Sequence, residues 1–143
     1  MAVPDLETWR AGWRSPDQQR LGVRPVMISP SRASIAVDLP YGDERDDDPL
    51  FATSALAYVA DVVALSAVRA HLDDEREQPN GTASLHLNFV AAPTSTVTIE
   101  ASVVAQNDME AIVELIGREA DGRNIVRGLV TFSVRQKTPG GAA

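Results

Sequence analysis

The sequence predicts an α+β domain: one long helix laid against a curled antiparallel sheet of about six strands. Three observations lead to that expectation. The run FATSALAYVADVVALSAV (Phe51–Val68) is apolar almost all round, the mark of a helix buried on most of its sides. Four strand-like segments follow it in quick succession, set apart by turn pairs such as Asn107-Asp108 and Asp121-Gly122. Two more precede it. A helix covering one face of an antiparallel sheet is the layer pair that fits this order.

Each element has its own signal. PDLETWRAGWRS reads as a short helix, capped by Asp5, with Trp9 and Trp13 four apart on one face to clamp it to the body. GVRPVMIS and RASIAVDLP form a hairpin about PSR, the second alternating Ile35, Val37 and Leu39 against Ser34, Ala36 and Asp38. YGDERDDDP is an acidic, solvated loop without the central glycine or closing glutamate of a calcium loop. Asp48 and Pro49 give a cap and a first helical residue, and the helix should run from Pro49 to Leu72. Pro79, Asn80 and Gly81 read as a turn. TASLHLNFV then alternates Leu85, Leu87 and Phe89 against Ser84, His86 and Asn88. TVTIEASVVAQ, EAIVELIGRE and NIVRGLVTFSVRQ complete the sheet. The whole, residues 1–143, is one domain, with 136–143 expected as a flexible tail.

Composition narrows the function. The chain is 44% hydrophobic and 23% charged, an ordinary globular balance. It has no cysteine, which excludes disulfides, thiolate metal sites and cysteine nucleophiles. Its net charge of −7 argues against nucleic acid as a partner. The opening MAVPDLETWR has no signal-peptide pattern, and the long helix is interrupted by Asp61 and Ser66, so a cytoplasmic protein without a membrane partner is expected. No GxSxG, HExxH or glycine-rich phosphate loop is present, and no metal site is expected.

Asp61 is the feature that asks for an explanation. A carboxylate on a largely buried helix is expensive unless it is paired, solvated or used. Ser54, Tyr58 and Asp61 fall on one helical stripe. That stripe is either a polar pocket or a network that satisfies the acid within or across a subunit interface. His71 sits at the helix end, where a cation suits the dipole. His86 lies with Ser84 and Asn88 on the polar side of its strand, as a lining or interface residue.

The element order, with ALAYVADVVALSAV, TASLHLNFVAAP and DGRNIVRGLVTFSVR, resembles the hot-dog fold and looks most like acyl-CoA thioesterases of the phenylacetate-degradation type. The resemblance covers roughly Leu21 to Arg135. It implies a site between two subunits, in a homodimer or homotetramer. Asp61 would be the catalytic carboxylate, with the amides about Ser54 and Ala55 polarising the thioester carbonyl. Thr53, Tyr58, His86 and Asn88 would line the substrate. Arg118, Arg123 and Arg127 would meet the phosphates of coenzyme A, which enters as part of the substrate; no separate cofactor is implied. The chain departs from the family at one place. The family carries His-Gly-Gly about two helical turns before the acid, and Ala52, Thr53 and Ser54 stand there. Two readings follow: an acyl-thioester hydrolase, or a non-catalytic hot-dog protein that binds acyl-CoA or another apolar ligand, or serves in assembly.

Overall fold

The computed structural model describes residues 3–12, 16, 18, 21–38 and 49–138, and of residues 49–52 the backbone alone. A short helix α1 (Leu6–Ala11) comes first, capped as expected by Asp5, whose carboxylate accepts from the Thr8 N–H at 2.8 Å. The hairpin of β1 (Val23–Ser29) and β2 (Arg32–Val37) follows. The central helix α2 spans Pro49–His71. Four strands complete the chain: β3 (Glu77–Phe89), β4 (Val97–Gln106), β5 (Glu110–Glu119) and β6 (Asn124–Gln136). All pairings are antiparallel and the order across the sheet is β1-β2-β4-β5-β6-β3, so β1 and β3 are its edges.

One face of the sheet packs on α2. Ile35 and Val37 of β2, Val97 and Ile99 of β4, Val113 and Leu115 of β5, and Val130 and Phe132 of β6 meet Leu56, Val59, Val63 and Val68 of the helix. Each such side chain contributes about 1.5–3 kcal/mol when fully buried. Ala60, Ala64 and Ala67, all fully buried, let the helix backbone approach the sheet closely. By length and composition Thr53–His71 would also suffice to cross a membrane, but here half of it is buried in the fold. Trp9 clamps α1 as expected: it is buried, and its indole N–H donates to Ser66 Oγ at 3.2 Å. Trp13, Leu39, the acidic loop with Asp48, and residues 139–143 lie outside the described residues.

Two expectations are corrected. Pro79, Asn80 and Gly81 are not a turn; they open β3. The chain reverses earlier, at 73–76, where the Asp73 carbonyl accepts from the N–H of Arg76 (2.9 Å) and Glu77 (2.7 Å) and its carboxylate from that of Glu75 (3.0 Å). Proline is tolerated on an edge strand, and Gly81, at φ +109°, takes up the irregular backbone there. The second correction concerns the tail. Gln136 still belongs to β6, and the Lys137 N–H donates to the Arg76 carbonyl at 2.7 Å, so 136 and 137 are tied to the body. The reason is length: β3 starts earlier than the turn residues suggested, and β6 extends to pair with it.

Candidate functional site

Asp61 is partly buried on α2, and Thr82 Oγ1 of β3 donates to its Oδ1 at 2.8 Å. Among the described residues no cation pairs with it. Its partner is therefore neither Ser54 nor Tyr58 of its own helical stripe, but a strand residue. The geometry follows from the path of the chain. After α2 the chain turns at 73–76 and β3 runs back along the helix. Ten helical residues from Asp61 to His71 rise about 15 Å. Five strand residues from Glu77 to Thr82 cover about the same distance. Asp61 and Thr82 thus come abreast.

Thr82 was not legible as a site residue, because strict alternation with Leu85, Leu87 and Phe89 assigns it to the other face. The register shows why alternation fails. Thr82 pairs with Phe132, Ser84 with Thr131, and Leu85 with Val130. Phe132 and Val130 both face α2, so Thr82 and Leu85 share that face across an odd spacing. One extra residue between Thr82 and Ser84 shifts the phase. The local signal that could have warned of it is Gly81, a residue that weakens a regular strand and marks a bulge.

The other expected helix residues differ in exposure. Tyr58, 43% exposed, is one turn before it. Leu85 and Phe89 on β3, 42% and 36% exposed, stand on the same face of the sheet and on its free edge. Thr53 and Ser54 are exposed, and Ala55 is buried. The amide assignment needs correction. The helix begins at Pro49, so Ser54 and Ala55 lie in its second turn, where N–H groups bond to carbonyls four residues back. The unpaired amides belong to the first turn, about Leu50 and Phe51.

Comparison with protein-family models finds no match, and neither does comparison with curated proteins. Solved structures do match. Thioesterase PA1618 from Pseudomonas aeruginosa, solved as a mutant, is similar over 95% of this chain and 97% of its own, with a TM-score of 0.79 and 18% identity. Thioesterase HI1161 from Haemophilus influenzae is similar over 94% and 93%, with a TM-score of 0.79 and 14% identity. A thioesterase-family protein from Silicibacter pomeroyi is similar over 92% and 94%, with a TM-score of 0.67 and 17% identity.

The chain has the hot-dog fold. Within this hot dog, the remaining expected site residues separate from Asp61. His86 pairs with Leu129 and Asn88 with Arg127, on the sheet face turned away from α2. In one chain they therefore do not join the carboxylate. Arg127 and Arg118 are exposed on that outer face too, Arg118 Nε donating to Asn124 Oδ1 at 3.0 Å. Arg123 has a structural task instead. Its Nε meets Glu119 Oε1 at 2.8 Å, and its Nη2 donates to the Ala92 carbonyl. Glu119 is buried, with 6% of its surface exposed. Its Oε2 accepts from Ser95 Oγ (2.5 Å), Thr94 Oγ1 (3.0 Å) and the Thr94 N–H (3.1 Å). The Ser95 hydroxyl foremost, with Thr94 and the Arg123 charge, holds the Glu119 carboxyl down at about 2, against the opposing pull of burial. This cluster pins the 90–96 connection between β3 and β4.

The far end of the hot-dog helix is different in character. His71 Nδ1 lies 2.5 Å from Ser31 Oγ, tying the helix end to the β1–β2 turn, where Ser31 has φ 68°. A groove of about 710 Å³ opens there between α1, α2 and the start of β3, lined by Trp9, Ile28, Ser66, Arg69 and Pro79 among others. Asp61 does not line it.

Proposed function

We propose that this chain is an acyl-CoA thioesterase of the phenylacetate-degradation type, a hydrolase whose site is completed where two copies join along β3. The carrying observation is Asp61: a partly buried carboxylate on an apolar helix, held by one neutral hydroxyl, with no cation beside it among the described residues. It lies beside the edge strand β3, one helical turn from the exposed Tyr58 and on the side of the sheet that also carries the exposed Leu85. Those side chains favour an apolar acyl group. Thioesters need little machinery. The Asp61 carboxylate attacks the carbonyl carbon, or takes a proton from a water that does so. Either route forms a tetrahedral oxyanion, whose collapse expels the coenzyme A thiolate. Attack by water leaves the free acid at once, whereas attack by Asp61 leaves an acyl–Asp61 anhydride that a water then cleaves to the acid and the free carboxylate. First-turn N–H groups of α2 from the second copy would hold the oxyanion. Arg118 and Arg127 are the cations left for the coenzyme A phosphates; coenzyme A comes and goes with the substrate. The working unit is a homodimer or homotetramer in the cytoplasm.

One observation favours the second reading, an acyl-CoA-binding hot dog without turnover. Thr53 and Ser54 carry exposed side chains where glycines would leave the approach open. A hydrolysis screen across acyl chain lengths separates the two. Asp61→Asn should lower the rate at least about 100-fold if the carboxylate is the base or nucleophile. Binding of acyl-CoA by wild type and variant alike, with no hydrolysis by either, would establish the binding protein instead.

A further inference from the structure

Strand β3 departs from regular pairing twice, and both departures flank one residue. Between Pro79 and Thr82 it advances three residues while β6 advances two, from Val134 to Phe132. Between Thr82 and Ser84 it advances two while β6 advances one. From Ser84 to Phe89 the pairing is regular, residue for residue. The second bulge alone reverses which face Thr82 occupies. Without it the hydroxyl would lie with Ser84, His86 and Asn88 on the outer face, where α2 cannot be reached. Bulges gather where a strand must re-aim a side chain, and the side chain re-aimed here donates to Asp61.

We propose that Thr82 is a positioning residue for Asp61, an inference that rests on Asp61 being the reacting carboxylate. An aspartate side chain turns about two bonds, and only some orientations present an oxygen to a substrate. One hydrogen bond to Oδ1 fixes both rotations and leaves Oδ2 to react. The donor is uncharged, so it orients the carboxylate without neutralising it, as an arginine or lysine would. Threonine suits the place for a second reason: its branched Cβ restricts its own rotamer, so the donor is itself held still.

The test uses Thr82→Val, which keeps the shape and removes the hydroxyl, Thr82→Ala as a second hydroxyl-free variant, and Thr82→Ser, which keeps it. Asp61→Asn runs beside them on an acyl-CoA that the wild type hydrolyses, and urea unfolding verifies that each variant is folded. The valine and alanine variants should lose about tenfold in kcat with KM within about twofold, because misorientation lowers reaction without lowering binding. Serine should retain at least about half of kcat. Thr82→Val and Thr82→Ala turning over like wild type while Asp61→Asn is inactive would overturn the role of Thr82 and leave that of Asp61 intact. A serine variant as poor as valine would overturn it too, since the hydroxyl would then be irrelevant. An Asp61→Asn variant as active as wild type, or a wild type that hydrolyses no acyl-CoA, would remove the reading of Asp61 and Thr82's role with it.

Discussion

Strand β1, at one edge of the sheet, has seven residues, includes Pro25, and loses register between Pro25 and Met27. Helix α1 lies against it, and Arg10 Nε donates to the Pro25 carbonyl at 3.0 Å. Strand β3, at the other edge, has thirteen residues, and its second half, Ser84–Phe89, is regular and free of proline. Proline, a bulge and a covering helix are devices that keep an edge from pairing with another chain. Edge β1 has all three. In β3 the proline and the bulges are confined to the first half, where the second bulge aims Thr82 at Asp61. The contrast teaches that a bulge has two uses in one sheet: at β1 it disrupts an edge, at β3 it turns Thr82 toward Asp61 and leaves Ser84–Phe89 regularly paired.

The sharpest way to break the contrast is to charge each edge in turn. Leu85→Lys with Phe89→Lys should weaken self-association by about 100-fold or more, since like charges brought together at an interface cost several kcal/mol. Val26→Lys on β1, also at an exposed apolar residue, should leave association unchanged. Sedimentation velocity over a concentration series reads both. Equal weakening by the two variants would mean that the edges are equivalent.

A second prediction concerns what holds β3 to the body. A Cβ on Gly128 would come within 2.1 Å of the His86 carbonyl oxygen and 2.6 Å of Leu87 Cδ2. Gly128→Ala should therefore destabilise the fold by about 2 kcal/mol, within the range for overpacking. Urea midpoints should fall accordingly, and hydrogen exchange should speed up along β3 while β1 keeps its protection. An unchanged midpoint would show that β3 yields without loss.

The smallest effect expected is conditional on pH. Glu119 fastens the connection leaving β3, and its carboxyl is lowered to about 2 from an ordinary 4.5. A carboxyl lowered by folding stabilises the fold above its unfolded pKa and loses that contribution as the pH falls through the folded value. Wild type should therefore exceed Glu119→Gln in stability above about pH 4.5. The gap should close between that pH and about 2. A gap that stays constant across the range would assign it to packing and not to charge.

Much of this could be read without coordinates. Asn107 sits in its turn as expected, its side-chain oxygen accepting from the N–H of Met109 (2.8 Å) and Glu110 (3.0 Å). Asp121 and Gly122 form theirs, with Gly122 at φ +88° and Asp121 Oδ1 accepting from the Arg123 N–H. These signals are local, so they survive in a one-dimensional reading. The candidate site was legible only in half. Asp61 stands out because a charge in an apolar run is conspicuous. Thr82 does not, because a small polar residue in a strand is ordinary until the register assigns its face. Arg123 illustrates the same limit: as a sequence letter it is one basic residue among several, and only the fold brings Glu119 and the Ala92 carbonyl to it.

By itself, then, the amino-acid order determined the elements, their succession and the anomaly of a carboxylate in the central helix. Periodicity, caps and turn residues act over a few positions, and a helix and an alternating strand each bury one side for reasons contained in their own letters. Tertiary structure alone decided which strand edge stays open, which face Thr82 shows and which cations are already engaged. Those depend on pairing between distant segments, where a single inserted residue reverses every side chain up to the next irregularity.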